Sequence, residues 1–291
     1  MKRMLEVKDG VFYVNSSSVD LIQSCRRKAY YALERGLRGG DESEAQLFGT
    51  AIHKAMEAFY GAPIEGGVRR LTLEQFQDAF AQAASQLEHL PDADKRSIAN
   101  GKKILEKYWS IYQNDPWQVV HDRQGPVVER KFELDLTPSI VLHGQIDCLL
   151  ENVETGEIVV CDHKTSSSLG SDFLNRIKPN LQFSIYAWAA RQLGFPVSRV
   201  MVNGIQVAKT KVDLLRVFTS RMESDEEEMW AALSEAVELY RGCQKRGVWP
   251  QSSSSCSNWG AYGIVVELAK LSKRPLLHTA EEERRAARGH R

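Results

Sequence analysis

The sequence lacks the features that mark several common classes of protein. No stretch approaches 18 uninterrupted apolar residues, so the sequence predicts no membrane-spanning helix. The start, Met1-Lys2-Arg3-Met4-Leu5-Glu6, is charged and has no apolar run of signal-peptide length, and we expect the chain to act inside the cell, in the cytoplasm. The five cysteines include no CxxC pair and accompany no HxxxH pair, so their spacing predicts no zinc site.

A basic excess is also missing. The chain of 291 residues has 38 basic and 38 acidic residues, so a binding site for a polyanion must be a local patch. Asn100-Gly101-Lys102-Lys103 is no phosphate loop, because the earlier glycine at the required spacing is absent, and this argues against a P-loop NTPase motor. Hydrophobic residues make up 43% of the chain and charged residues 26%, as in an ordinary globular protein that buries a full core.

Two β-branched, apolar-rich runs are the most informative stretch that is present. Residues 145–150 and 157–166 are separated by a polar segment that ends in Gly156, which predicts two strands joined by a short turn. Side chains two apart on a strand share a face, so Asp162 and Lys164 should project together while His163 points away. The neighbouring strand would bring Asp147 to the same edge. Two converging carboxylates are costly to hold together without a cation, so we expect a divalent metal ion here.

An Asp-x-Lys triplet also occurs often as a plain surface ion pair, and this structural interpretation of Asp162 and Lys164 stays open. The position of the triplet favours a functional role, because the triplet ends a strand that otherwise consists of Ile158, Val159, Val160 and Cys161. Charged residues that close a buried strand are more often functional than those on a free face.

Three helical segments carry further candidates, each with a structural alternative. His53 follows the small residues 49–51 in a predicted helix over 47–60, and is either a partnered core histidine or a metal ligand. Gln182 and Tyr186 are four residues apart in a predicted helix over 172–193, and are either surface residues or donors aimed at a phosphate. The run 26–28 on the first helix, Arg26, Arg27 and Lys28, is either a solvated face or a phosphate-contacting patch.

The remaining chain is predicted as a mixture of strands and helices. Residues 61–126 are expected to be helical and peripheral, with helices over 71–90 and 95–112. Residues 127–136 alternate charged and apolar side chains as a half-buried strand does, and Glu129 lies in that strand. Strands over 200–208 and 214–219 and a helix over 226–243 follow, and residues 246–291 form a C-terminal segment and tail.

These motifs, in this order, resemble the PD-(D/E)xK nuclease superfamily, and within it the RecB-like branch that includes Cas4 and related phage exonucleases. The resemblance runs from the helix over 18–31 to residues 251–258. Any one motif is weak, whereas five in order are specific. They are Gly-Thr-Ala-Ile-His53, the Glu129 strand, Gly-Gln-Ile-Asp147, Asp162-His-Lys164 and Gln182-x-x-x-Tyr186.

The resemblance implies an α/β fold over 1–291, a single nuclease domain with a mixed central sheet in αβββαβ order, flanked by helices, with 61–126 as a helical insertion. It implies a metal ion, Mg²⁺ or Mn²⁺, held by His53, Asp147, Asp162 and the backbone carbonyl of His163. The catalytic residues would be Lys164, Asp162, Asp147 and Glu129, where Lys164 orients water and offsets phosphate charge and Glu129 holds neighbouring groups. Gln182, Tyr186, Arg26, Arg27 and Lys28 would contact the substrate.

The cysteines depart from part of this branch. Several members hold an iron–sulfur cluster on one cysteine ahead of the nuclease core and three near its end. Here only Cys25 and Cys256 match those positions, and residues 257–268 contain no cysteine. Two thiolates cannot replace four, so we expect no iron–sulfur cluster, and we expect Cys25 and Cys256 to lie near each other.

The sequence therefore predicts a metal-dependent exonuclease that hydrolyses phosphodiester bonds at DNA ends in recombination or repair, in the host cytoplasm if the gene is carried by a phage. One alternative is a catalytically inactive relative that binds DNA or a protein partner. Another is a nuclease subunit that works beside a separate helicase or recombination protein. The intact set of Asp147, Asp162 and Lys164 argues against the inactive relative.

Overall fold

The computed structural model describes residues 6–8, 10–36, 42–66 and 68–252. Twelve strands lie in this part of the chain: β1 (Glu6–Lys8), β2 (Val11–Val14), β3 (Ile64–Glu65), β4 (Val68–Arg69), β5 (Trp117–Val119), β6 (His121–Asp122), β7 (Gly125–Pro126), β8 (Val128–Thr137), β9 (Ile140–Asn152), β10 (Ile158–Ser166), β11 (Arg199–Gln206) and β12 (Leu214–Ser220). The α-helices described are α1 (Ser16–Ser24), α2 (Arg26–Ala29), α3 (Glu44–Gly61), α4 (Leu73–Ala83), α5 (Ile98–Tyr112), α6 (Ser171–Asn175), α7 (Leu181–Gln192) and α8 (Glu223–Arg246).

Contacts within the chain group into two compact units, and the prediction of a single domain over 1–291 stays a prediction. Unit 1 comprises Met1–Asp41, Glu133–Gly144 and Glu227–Arg291, and unit 2 comprises Glu42–Phe132 and Gln145–Glu226. Among the described helices, none is long and apolar enough to cross a membrane.

Unit 1 contains the N-terminal strands and helices. β1 pairs antiparallel with β2, and β2 pairs in parallel with residues 140–142 of β9. Asn15 caps the start of α1 in a capping box. Its side-chain oxygen accepts from the backbone N–H of Ser18, and the Ser18 hydroxyl oxygen accepts from the backbone N–H of Asn15. The predicted helix over 18–31 is broken at Cys25, whose backbone is extended, and continues as α2 and a π-helical turn over Tyr30–Glu34.

Unit 2 contains a mixed sheet in the order β5–β9–β10–β11–β12. The β5–β9, β9–β10 and β11–β12 pairs are antiparallel, and the β10–β11 pair is parallel. The core on one face of this sheet joins α3, α4 and α5 to β9, β10 and β11. The other face of β10 meets α7. This confirms the predicted α/β fold, with a mixed sheet flanked by helices.

Two segments differ from the sequence predictions. The predicted helix over 172–193 is divided into α6 and α7, because Pro179 has no backbone N–H and restricts the residue before it. Residues 61–126 include α4 and α5, but they also form short strands, and Phe76, Phe80 and Tyr108 are fully buried in the core of unit 2. That segment is part of the core, so the prediction that it is peripheral is wrong.

Candidate active site

The candidate site lies in unit 2, where β9 and β10 separate. Their antiparallel pairing ends at Cys148 opposite Cys161. Beyond this rung, the backbone N–H of His163, two residues after Cys161, donates to the Asp147 carboxylate at 2.9 Å instead of continuing the ladder. An acidic side chain thus satisfies a backbone donor that the separation of the strands would otherwise leave without a partner.

The Asp-x-Lys triplet adopts the alternation that the sequence predicts. The Lys164 ammonium lies 3.1 Å from one oxygen of Asp162 and 2.9 Å from the other, while the His163 ring is buried on the opposite side of β10. The ammonium has a directed hydrogen bond to the first oxygen only, and the second oxygen, Oδ2, is buried without a hydrogen-bond partner. A buried carboxylate oxygen with an unused lone pair suits metal coordination.

Helix α7 supplies a second contact to the lysine. Gln182 Oε1 accepts from the Lys164 ammonium at 2.9 Å, and the Gln182 amide donates to the Tyr186 hydroxyl at 2.8 Å. The Asn180 side chain caps the start of the helix, which fixes where Gln182 projects. These two residues are therefore not plain surface residues, because Gln182 holds Lys164 and Tyr186 holds Gln182.

His53 reaches the same site from α3. Its Nδ1 lies 3.3 Å from the Asp147 carboxylate, and its ring is about one-third exposed. Burial lowers the pKa of His53, which keeps the imidazole neutral and available as a ligand, although the charge of Asp162 acts in the opposite direction. Gly49, one turn earlier on the helix, faces Thr165 of β10, as expected for a helix that approaches the sheet closely.

Glu129 completes a group of three possible ligands. Ligand atoms of His53, Glu129 and Asp147 all lie within 4.8 Å of one another. Glu129 has a φ of 48° and is the only non-glycine residue in the described part of the chain with positive φ. Such backbone strain is tolerated where surrounding contacts enforce it, often at functional sites. Gln145, which the sequence analysis did not single out, donates its side-chain amide to the Glu129 carboxylate.

The electrostatics of these carboxylates favour a cation. Burial, and then the charge of Asp162, raise the pKa of Asp147 to about 8. Burial, and then the charge of Asp147, also raise the pKa of Glu129. Buried carboxylates that oppose one another's ionisation are stabilised in their charged form by a divalent ion.

The predicted site residues thus fall into two groups. His53, Glu129, Asp147, Asp162, Lys164, Gln182 and Tyr186 converge in unit 2, together with the backbone of His163. Arg26, Arg27 and Lys28 lie on α2 in unit 1, where the Arg27 side chain donates to the backbone carbonyl of Trp249 at 2.8 Å. Their role toward a substrate stays a prediction. Cys256 lies outside the described residues.

Comparisons with known proteins found one family and solved structures that are similar to the chain. A family model described as the PD-(D/E)XK nuclease superfamily matches residues 13–258. A crystal structure from Eubacterium rectale, of a protein provisionally named an exonuclease, is 13% identical with a TM-score of 0.50, covering 79% of this chain and 82% of that one. The crystal structure of SSO0001 is 16% identical with a TM-score of 0.37, covering 80% of this chain and 79% of that one. No curated protein matches the chain significantly.

Proposed function

The chain belongs to the PD-(D/E)XK nuclease superfamily, and on this premise we propose that it is a metal-dependent deoxyribonuclease acting as an exonuclease at DNA ends. The observation that carries the proposal is the position of Lys164, whose ammonium is held between Asp162 and Gln182 beside the buried carboxylate of Asp147. A structural scaffold has no need for so costly a group of charges, whereas phosphodiester hydrolysis uses each of them.

The Lys164 ammonium would act on charge that appears during the reaction. It is one-third exposed, so it can face a substrate phosphate while its other contacts fix its position. In this role it orients the attacking water and offsets the negative charge that develops on the phosphate. Gln182 and Tyr186 keep the ammonium in place, which adds a positioning role to the substrate contact predicted for them.

The acidic groups and His53 would hold Mg²⁺ or Mn²⁺. The predicted ligands are His53, Asp147, Asp162 and the His163 carbonyl, and the Asp162 oxygen that accepts no directed hydrogen bond fits that role. The carboxylate of Glu129, close to both His53 and Asp147, is available as a further ligand. Oxygen ligands with one imidazole suit both ions. When bound, the ion supplies Lewis-acid activation of water and neutralises charge on the phosphate.

The proposal extends to the substrate and the cellular role. We propose DNA ends as the substrate and recombination or repair, inside the cell, as the setting, with a separate helicase as a working partner. The structural neighbour from Eubacterium rectale carries the provisional name of exonuclease, which is consistent with an activity on ends.

The same proposal includes an enzyme without an iron–sulfur cluster. Only Cys25 and Cys256 match cluster positions, so the purified protein should be colourless, free of iron, and active when both residues are changed to serine. Stoichiometric iron and sulfide in anaerobically purified protein would contradict this, and would require ligands from Cys148, Cys161 or Cys243.

The decisive assay compares end-labelled linear duplex, covalently closed circular DNA and single-stranded DNA, each with Mg²⁺ or Mn²⁺ and with EDTA. We expect label release from linear DNA, none from the circle, and none in EDTA. Lys164→Ala purified in parallel controls for a contaminating nuclease. DNA binding without cleavage under every condition would identify the chain as an inactive binding relative, and nicking of the circle would identify an endonuclease.

A further inference from the structure

A second group of potential metal ligands lies on the buried side of β10. Ligand atoms of Cys148, Cys161 and His163 all lie within 4.8 Å of one another, and both cysteines are free and fully buried. The Nε2 atom of His163 is 3.8 Å from the Cys148 sulfur. A tetrahedral zinc site with Zn–S near ~2.3 Å and Zn–N near ~2.0–2.1 Å places ligand nitrogen and sulfur roughly 3.6 Å apart. The distance between Nε2 of His163 and the Cys148 sulfur is therefore close to that in a zinc site.

The orientation of the His163 ring depends on a buried chain of hydrogen bonds. Its Nδ1 lies 3.2 Å from the Asn203 side-chain amide, and the same amide atom lies 2.5 Å from the Tyr108 hydroxyl. The Tyr108 hydroxyl lies 2.6 Å from the Tyr60 hydroxyl, which accepts from the Arg216 guanidinium at 3.1 Å. Arginine can only donate hydrogen bonds, so the Tyr60 hydroxyl accepts from Arg216 and keeps its own proton to donate to Tyr108.

The two orientations of the Asn203 amide leave different groups unpaired. With nitrogen toward Tyr108, as placed, one of the two tyrosine protons has no acceptor, and the Asn203 oxygen is also unpaired. Turning the amide by 180° lets Tyr60 donate to Tyr108 and Tyr108 donate to the Asn203 oxygen. The two N–H bonds of the amide then lie where the oxygen had no partner, so each orientation leaves a buried group unpaired.

Binding of a metal ion through Nε2 would select the turned amide, which requires the His163 tautomer with its proton on Nδ1. The amide oxygen accepts from Nδ1–H of the ring, so the proton lies on Nδ1 and Nε2 keeps a free lone pair. Nε2 is the ring nitrogen that lies beside the Cys148 sulfur. A histidine that ligates metal through one nitrogen commonly donates from the other to a carbonyl group. Tyr60, stacked on the ring at 5.4 Å between centroids, holds its plane.

We propose that Cys148, Cys161 and His163 bind a zinc ion in the core of unit 2, separate from the oxygen-rich site at Asp147 and Asp162. Zinc with two thiolates and a neutral imidazole carries no net charge, which suits a site that excludes water. Each cysteine thiol loses its proton on binding. Three protein ligands leave one tetrahedral position that no described side chain supplies, so we expect weaker binding than at a four-ligand structural site.

The location gives the zinc ion a structural role. Cys148 and Cys161 face each other on the last rung of the ladder before β9 and β10 separate. Asp147 precedes one and Asp162 follows the other, so a zinc ion here would fasten the two strands directly behind the candidate active site. The proposal does not depend on whether the chain cleaves DNA.

Zinc content and cobalt spectra test the proposal. Because the ligands are buried, the metal should be loaded during expression or refolding. We expect about one zinc per chain after desalting in wild type and in Cys243→Ser, a buried free cysteine outside the group, and at least a tenfold lower content in Cys148→Ser and Cys161→Ser. Protein refolded with Co²⁺ should show thiolate-to-cobalt absorption, which an oxygen-rich site cannot produce.

Three results would overturn the proposal. Zinc that survives both cysteine changes but is lost in His53→Ala would belong to the oxygen-rich site. A disulfide between Cys148 and Cys161 in the freshly purified protein would replace coordination by zinc. Absence of thiolate-to-cobalt absorption in the wild type would exclude the site even if the serine variants failed to fold.

Discussion

The two sides of β10 show how one strand can support two different chemical environments. On one side, Asp162 and Lys164 meet α7, and their charges are partly open to solvent. On the other side, Cys161 and His163 are buried among aromatic rings and a hydrogen-bonded chain. We refer to these as the front and back of β10. The charged front has features that a reaction requires, whereas the back is part of the buried core.

The front and back should therefore respond differently to mutation. Removing a front carboxylate relieves the repulsion between Asp147 and Asp162, so it should abolish activity with little loss of stability. Removing a back polar group leaves buried partners unpaired, so it should lower stability with a smaller effect on chemistry. The predictions below test this contrast.

The largest expected effect is that of Lys164→Ala. Cleavage should fall on the order of 10³-fold or more, because the ammonium acts on charge that appears in the transition state. DNA binding should survive, since phosphate contacts are spread over many groups. Turnover and a binding isotherm measure the two properties, and Lys211→Ala, a surface lysine paired with Asp213, is the control. Comparable turnover in Lys164→Ala and wild type would remove this residue from the catalytic set.

Asp162→Asn should lose metal affinity and activity together. The predicted ligand atom is its buried Oδ2, which accepts no directed hydrogen bond, and an amide is a poorer ligand for Mg²⁺ or Mn²⁺. Calorimetric titration with Mn²⁺ measures the affinity, and Asp213→Asn provides an exposed control. Unchanged Mn²⁺ binding in Asp162→Asn would show that this residue only holds Lys164.

Gln182→Ala and Tyr186→Phe should have intermediate effects. Each removes one hydrogen bond from the chain that positions Lys164, which costs ~1–3 kcal/mol, or roughly 5- to 150-fold in rate. Steady-state kinetics should show Gln182→Ala as the more damaging, because Gln182 contacts the ammonium directly. A variant as inactive as Asp162→Asn would place that residue in the chemical core.

The smallest effect on activity is expected for a substitution on the back of β10. Asn203→Leu leaves the Tyr108 hydroxyl and the His163 ring without a shared partner, at a cost of about 1–3 kcal/mol in the free energy of unfolding. Thermal and urea unfolding measure this loss, with the exposed Asn175→Leu as a control. Unchanged stability in Asn203→Leu would contradict a satisfied hydrogen-bond chain behind β10.

Much of the fold and of the candidate site could be predicted because it depends on local pattern. The period of two along 158–166 placed Asp162 and Lys164 on one side and His163 on the other, and the structure has this arrangement. The order of helix, three strands and helix around His53, Asp147 and Gln182 could likewise be predicted from the sequence. The family comparison confirms the superfamily. The division of the predicted helix over 172–193 also has a local cause, Pro179, which the prediction of one continuous helix did not take into account.

Other features depended on residues far apart in the chain, and only the tertiary structure decided them. The sequence placed Gln145 beside Asp147 but could not show that it binds Glu129, because the register between strands is set by long-range packing. Asn203 and Tyr108 are 95 residues apart and meet only when α5 packs on the sheet. The cysteines fit no zinc spacing, yet pairing of β9 with β10 sets Cys148 opposite Cys161 beside His163. The sequence by itself determined which side of its strand each residue occupies, and the packing of helices and strands determined which partners it meets.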